Sequence, residues 1–304
     1  MNIKEKKKII ITHSGSFHAD DVFACASLSL LLKKKKQLFR IVRTRDMSII
    51  NTGDFVVDVG GIYNSKKNLF DHHQKEGAGK RKNGIPYASF GLVWKRFGKE
   101  LCGSQFVSDK IDQILAQSID AGDNGIDYVK LLYKNVWPYE PHSLFAIFQP
   151  TWKENQSTNK SFWKMLSWAR EILTREIKVN SDFYNMKKIT DNEYRKSENK
   201  KIIVVNKSFS RFDLLNVLGE YSEPLYVIYP DKEDKNWKIA AIKKTPDSFK
   251  SRKPLPKNWA GMQGIEFQKI TNVNDAIFCH RALFLASAKS KDGALKLAKI
   301  ALKA

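Results

Sequence analysis

Thiol chemistry is the first thing this sequence does without. Its three cysteines, Cys25, Cys102 and Cys279, lie far apart and form no Cys-x-x-Cys pair. That excludes a disulfide framework and a thiolate zinc knuckle. Cys25 and Cys279, set among apolar neighbours, read as small core residues. No apolar run approaches the ~20 residues that cross a bilayer. The N-terminal MNIKEKKKII lacks both the apolar stretch of a secretory signal and the Arg/Ser-rich character of a transit peptide. A cytoplasmic protein without membrane attachment is therefore expected. Acid is also in short supply: 32 Asp and Glu stand against 53 Lys and Arg, a net charge of +21. A field of that sign draws polyanions, nucleic acid above all. The runs Lys6 to Lys8 and Lys33 to Lys36 also fit a merely lysine-rich composition, and the second suits the end of a helix.

What is there suggests two domains, since 304 residues are enough for two sizeable cores. KIIIT (8–12), LFRIVRT (38–44), DFVVDVGG (54–61) and KNLFDHH read as strands. DVFACASLSLLLKKKK, YASFGLVWKRFG (87–98) and SDKIDQILAQSIDAGDNG (108–125) read as helices between or after them. This alternation predicts an α/β fold with a parallel sheet. SFWKMLSWAREILTREI (161–177) has the pattern of a long amphipathic helix. The charged ITDNEYRKSENK (189–200) reads as a surface connection, so the boundary is placed between residues 190 and 191. Beyond it, KIIVV, PLYVIY, WKIAAIK and IFCH predict strands, the second and third paired as a hairpin, with a last helix from about Ser290. The second domain is thus a smaller α+β unit.

The histidines are few and unevenly placed. Of six, His13, His18, His72 and His73 fall just after predicted strands, each beside an aspartate or upstream of one on the same loop. His13-x4-His18-x-Asp20 follows the first strand, Asp58 closes the third, and Asp71-His72-His73 follows the fourth. Asp120 and Asp123 sit in IDAGDNG at a helix end. In open α/β sheets, ligands bind beyond the carboxyl ends of the strands, where such loops converge. Imidazole with carboxylate suits Mn²⁺, Mg²⁺, Fe²⁺ or Zn²⁺, and there are donors for two ions ~3.5–4 Å apart. Asp58, from a central strand, is the natural bridge between them. Each residue also has a plainer reading. Asp20 or Asp21 can cap a helix, His13 and His18 can cap a loop and a helix, and Asp120 and Asp123 suit a turn beside glycine. Adjacent histidines on an extended segment face opposite ways, so His72 and His73 are expected to do different work. His142 reads as a packed or capping residue. Trp152, Trp163 and Trp168, beside apolar neighbours, read as core rather than as stacking platforms.

THSGSFHADD, VDVGG, DHH and DxxDNG, in that order, resemble the DHH phosphoesterase superfamily. That superfamily includes RecJ-type exonucleases and manganese inorganic pyrophosphatases. QPTW, SFKSRKPLPKNWAG, and IFCH followed by DGALKLA extend the likeness over nearly the whole chain. They narrow it to the melanocyte-proliferating-gene (Myg-type) family. The resemblance implies a metal-dependent phosphodiester hydrolase with two divalent ions, Mn²⁺ or Mg²⁺, and an active site in the cleft between the two domains. It points to 3′–5′ trimming of single-stranded RNA. Cleavage of small phosphate compounds (pyrophosphate, cyclic dinucleotides or short oligonucleotides) and RNA binding without catalysis remain the alternatives. Carried over residue by residue, it makes His13, His18, Asp20, Asp58, His72 and Asp120 metal ligands. His73, Arg252 and His280 become the groups facing the phosphate, and Asp71 and Asp123 support the ligands. His18 stands where many DHH proteins have aspartate, as is usual in the Myg-type branch. RALFLASA after His280 replaces small residues, and bulky Leu283 and Leu285 are expected to narrow the approach to the phosphate. Arg252 and Lys253, before prolines, also fit a solvated loop.

Overall fold

The computed structural model describes residues 7–245 and 248–304; Lys6 and the rest of the extreme N-terminus lie outside the described residues. Contacts divide the chain within one long helix, into residues up to Ser181 and residues from Asp182.

The first unit runs β1 (Lys8–Thr12), α1 (Ala19–Lys34), β2 (Phe39–Arg43), α2 (Met47–Ile50), β3 (Phe55–Val57), β4 (Tyr63–Asn64), β5 (Leu69–Phe70), α3 (Ser89–Cys102), α4 (Gln105–Ile111), α5 (Gln117–Asp123) and α6 (Pro141–Ala146), then enters α7 (Thr158–Lys196). Its sheet has the order β2-β1-β3-β5-β4. The first four strands of that order are parallel, and β4 closes one edge antiparallel to β5. The parallel α/β reading holds, although the fourth strand stops at Phe70 and leaves Asp71 to His73 in a loop. α1 is buried along nearly its whole length, as befits a helix apolar on most sides. It packs on α3, with Phe23 and Phe90 ring to ring at 5.3 Å. The predicted helix over 108–125 is interrupted: a π-helical turn, Asp112–Ala116, joins α4 to α5.

α7 overruns the expected connection at 189–200. No glycine or proline occurs between Thr158 and Lys196, so nothing breaks it. Its charged end is held by Lys187 to Asp191, one turn apart, and by Tyr194 stacked on Tyr221 at 3.8 Å. No helix among the described residues is long and apolar enough to cross a membrane.

The second unit adds β6 (Ile202–Val204), α8 (Arg211–Gly219), β7 (Tyr226–Asp231), β8 (Asn236–Ala241), α9 (Gly264–Thr271), β9 (Ala276–Cys279), β10 (Leu285–Ala288) and α10 (Lys291–Lys303). The sheet order is β6-β7-β8-β10-β9, parallel only between β6 and β7. Alternation along β7 feeds two cores. Tyr226 and Ile228 face Trp259, Phe267 and Leu297 on one side, while Val227 and Tyr229 face Leu214 and Leu218 on the other. Leu283 and Leu285 pack against these two cores, which accounts for their bulk. Cys25 and Cys279 are buried. The tryptophans depart from the core reading: Trp152 is 90% exposed, and Trp163 and Trp168 are also exposed.

Candidate metal centre

Three parallel strands, β1, β3 and β5, lie side by side, and each releases a polar residue at its carboxyl end. His13 follows β1, Asp58 follows β3, and Asp71 to His73 follow β5. Asp58 has φ +54°, a left-handed conformation that aspartate tolerates better than most residues. The kink lets the chain leave the sheet while its amide still donates to Phe70 O at 3.1 Å. The N-terminus of α1 brings Asp20 and Asp21 to the same edge, and the end of α5 brings Asp123.

The side chains form three overlapping groups, each with possible ligand atoms within 4.8 Å of one another. These are His13, His18, Asp21 and Asp58; Asp58, His72 and His73; and Asp20, His72 and Asp123. Asp58 links the first two through different oxygens. Its Oδ2 lies 3.3 Å from His13 Nε2, and its Oδ1 lies 3.4 Å from His72 Nε2. His72 Nε2 is also 3.1 Å from Asp123 Oδ2.

Two buried atoms in these groups, Asp21 Oδ2 and His72 Nε2, have no hydrogen-bond partner. Such orphans are costly in a protein interior, and a divalent cation in each of the two groups that share Asp58 would satisfy them. The donor set therefore fits a hard or borderline metal.

Electrostatics agree. Burial pushes Asp21 up to about 7. Burial, with Asp123, Asp58 and Asp120 nearby, pushes Asp20 well above the usual carboxylate range. Burial works against a charged imidazole, but the carboxylates of Asp123 and Asp58 win at His72 and raise it to about 11. His13 is raised in the same way by Asp58 and Asp21. Burial alone would raise Asp58; His13 and His72 outweigh it and hold that carboxyl below its ordinary value. Positive charge is wanted around Asp58.

The supporting contacts are specific. Asp20 accepts from the Ser89 and Phe90 amides at 2.9 and 2.6 Å. It therefore sits on the positive end of α3, whose own cap residue Ala88 has no side-chain acceptor. Asp21 caps α1 by accepting from the His18 amide at 2.7 Å and keeps its other oxygen for the cluster. Sequence reasoning weighed Asp21 only as a cap; it is both. Asp71 accepts from Gly61 N at 2.6 Å and from His73 Nδ1 at 2.7 Å. A carboxylate only accepts, so Nδ1 carries the proton. The rings of His72 and His73 are 4.4 Å apart rather than on opposite faces, because the chain is no longer extended there. They differ in exposure: His72 is buried and His73 is open to solvent.

Three further residues expected at the site, Asp120, Arg252 and His280, have other hydrogen-bond partners. Asp120 is outside the three groups. It accepts from Arg81 Nη1 at 2.6 Å and from the Gly91 amide at 3.0 Å, while Arg81 also grips Asp112. Asp123, one turn on, occupies the position expected of Asp120. Arg252 donates to the carbonyls of Gly219, Tyr221, Ser222 and Pro224. This arrangement satisfies the end of α8 and commits both terminal nitrogens, so little of the guanidinium is left for a phosphate. His280 lies in the β9–β10 turn. Its Nδ1 accepts from Ala282 N at 3.1 Å, and its ring rests 4.4 Å from Phe284.

A cleft of about 810 Å³ opens on the cluster within the first unit, with Arg45, Asp58, His73, Asp123 and His142 among its walls. His142 was read as packed. It does pack, against Gly122, where an added Cβ would come within 2.3 Å of its ring, yet it also faces the cleft.

Residues 9–302 match the MYG1_exonuc family model, described as an uncharacterised protein family (UPF0160). The chain belongs to this family. It is similar to a MYG1 protein of Schizosaccharomyces pombe, 28% identical over 96% of this chain and 97% of that one. It is likewise similar to a MYG1 exonuclease of Homo sapiens, 28% identical over 96% and 85%. A MYG1 protein of Chlamydia trachomatis is 29% identical over 96% of each chain. Among solved structures, RecJ in complex with Mn²⁺ from Thermus thermophilus aligns over 98% of this chain and 52% of that one, with a TM-score of 0.28 and 10% identity.

Proposed function

We propose that this MYG1-family chain is a metal-dependent exonuclease that trims single-stranded RNA from its 3′ end and works with two divalent ions, Mn²⁺ or Mg²⁺. The observation that carries this reading is the sharing of Asp58 and His72 between adjacent donor groups at one sheet edge. His13, His18, Asp21 and Asp58 would hold one ion, and Asp58, His72, Asp20 and Asp123 the other. Bound there, divalent ions offset charge on a phosphoryl group and make water a nucleophile near neutral pH. The names of the mammalian relatives, MYG1 exonuclease, support the same reading.

The chain's own groups have separable tasks. Asp71 accepts from His73 Nδ1 and fixes the ring, leaving Nε2 as the nitrogen that would meet a non-bridging phosphate oxygen. Arg45 gives its Nε to Ser14 O and keeps its terminal nitrogens for the phosphate, the task that Arg252 is too engaged to perform. The net charge of +21 would hold the remaining strand, with binding that weakens as salt rises. Cleavage of small phosphate compounds drew its support from Leu283 and Leu285, and both are accounted for by core packing.

End-labelled single-stranded RNA tests the reading. With Mn²⁺ or Mg²⁺, 5′-labelled strands should shorten stepwise and 3′-labelled strands should lose their label at once; chelator should stop both. Intact RNA in every metal tried would reject it. Ion binding should also release protons, because Asp21 near 7 and His72 near 11 hold protons that a cation must displace. Apparent affinity should therefore rise between about pH 6 and about pH 8. Calorimetry in buffers of different ionisation enthalpy counts those protons, and a count of zero rejects this ligand set.

A further inference from the structure

Beside the cleft lies a second cavity, of about 410 Å³. Its walls include Tyr128, Val129, Trp137, Pro138 and Glu140, and it shares Gly122, His142 and Ser143 with the cleft. It is formed by residues 124–140, which run from α5 to α6 without a helix or strand. Irregular segments of this length in ordered domains are usually functional. The segment is unusual in composition and exposure. Tyr133, Trp137 and Tyr139 are 74%, 72% and 66% exposed, and exposed Lys130 and Lys134 interleave with them. Neither lysine forms an ion pair among the described residues. Contiguous apolar surface of this kind is costly unless something covers it.

We propose that this cavity is a stacking subsite for a nucleobase of the single-stranded substrate, with Trp137 and Tyr128 as its walls. The assignment rests on the exonuclease reading and extends it. Aromatic faces stack on any base, and interleaved lysines track the phosphates between bases. The two cavities adjoin, with Gly122, His142 and Ser143 as common walls. In this arrangement a nucleotide places its phosphate at the Asp58 cluster and its base against Trp137. The segment itself is neutral, with Lys130 and Lys134 against Asp127 and Glu140, but the chain's net charge of +21 favours a nucleic acid over a second copy of this equally basic chain.

The test is binding rather than turnover. The full chain in chelator is titrated into a short fluorescent single strand and into an abasic strand of equal length. The parent should prefer the base-bearing strand by about tenfold. Trp137→Ala should erase most of that preference, leave abasic affinity unchanged and keep the parent's melting temperature; Tyr128→Ala should act in the same direction. Equal preference in parent and Trp137→Ala overturns the subsite. So does a parent that associates in solution and becomes monomeric on Trp137→Ala with strand binding unchanged, which would make the patch a self-interface. RNA shortening in Mn²⁺ that is indifferent to Trp137 would leave the exonuclease reading standing while the subsite falls. A parent that neither binds nor shortens any strand would remove both.

Discussion

Asp58→Asn should lower RNA hydrolysis by about a thousandfold or more, the scale of several kcal/mol of transition-state stabilisation, while leaving the protein folded. Asparagine matches aspartate in size and tolerates the left-handed φ of +54°, so the turn after β3 survives. What is lost is a carboxylate placed against both His13 and His72. In chelator, parent and variant should melt within a few degrees of each other, since the variant loses attraction to two histidines and also repulsion from Asp20 and Asp21. With Mn²⁺ the parent should gain about 2.7 kcal/mol at a hundredfold excess over Kd, and the variant should gain little. Thermal unfolding with and without metal, run beside the RNA assay, checks this. Activity within tenfold of the parent would show that Asp58 is not the link between two ion sites. Asp58→Ala is the poorer probe, because alanine in a left-handed conformation adds strain of about 1 kcal/mol or more.

Much of this site could be read from the chain because its residues follow short apolar runs. IIIT, FVV and LF each bury a strand, and the polar residue after each must emerge at the same sheet edge if the strands are parallel. That logic picks out His13, Asp58 and the Asp71 to His73 loop without coordinates. It does not separate Asp120 from Asp123, which lie one turn apart in the same helix. The discriminating partner, Arg81, is 39 residues from Asp120 and has no local mark. The partners of Arg252 are hidden for a related reason. An arginine before prolines looks available for phosphate, but its partners are backbone carbonyls at the end of α8, and carbonyls leave no trace in a sequence. The run after His280 misled by its bulk, which belongs to two cores. The segment 124–140 carries no mark of its exposure, because exposed aromatics and core aromatics look the same until burial is known.

Gly91→Ala should destabilise the protein by about 3–5 kcal/mol, against the expectation for its place in a helix. Within α3, alanine for glycine ordinarily stabilises by about 1 kcal/mol. Here the added Cβ would lie 1.7 Å from Asp120 Oδ2 and 2.8 Å from Arg81 Nη2. Asp120 is fully buried and pinned by Arg81 and by the Gly91 amide, so it must leave its place. Parting a buried ion pair leaves uncompensated charge, which is where the large cost arises. The damage extends to the metal centre, because the two preceding amides of the same turn, Ser89 and Phe90, hold Asp20. A shift of that turn moves Asp20, so Mn²⁺ affinity should weaken together with stability. A double-mutant cycle isolates the cause. In an Asp120→Ala background only Arg81 Nη2, the far end of a flexible side chain, still crowds the added Cβ, so Gly91→Ala should cost little, giving strong non-additivity. Equal cost in both backgrounds, read from denaturant midpoints at constant slope, would place the obstruction elsewhere and remove Asp120 as the reason that position 91 must be glycine.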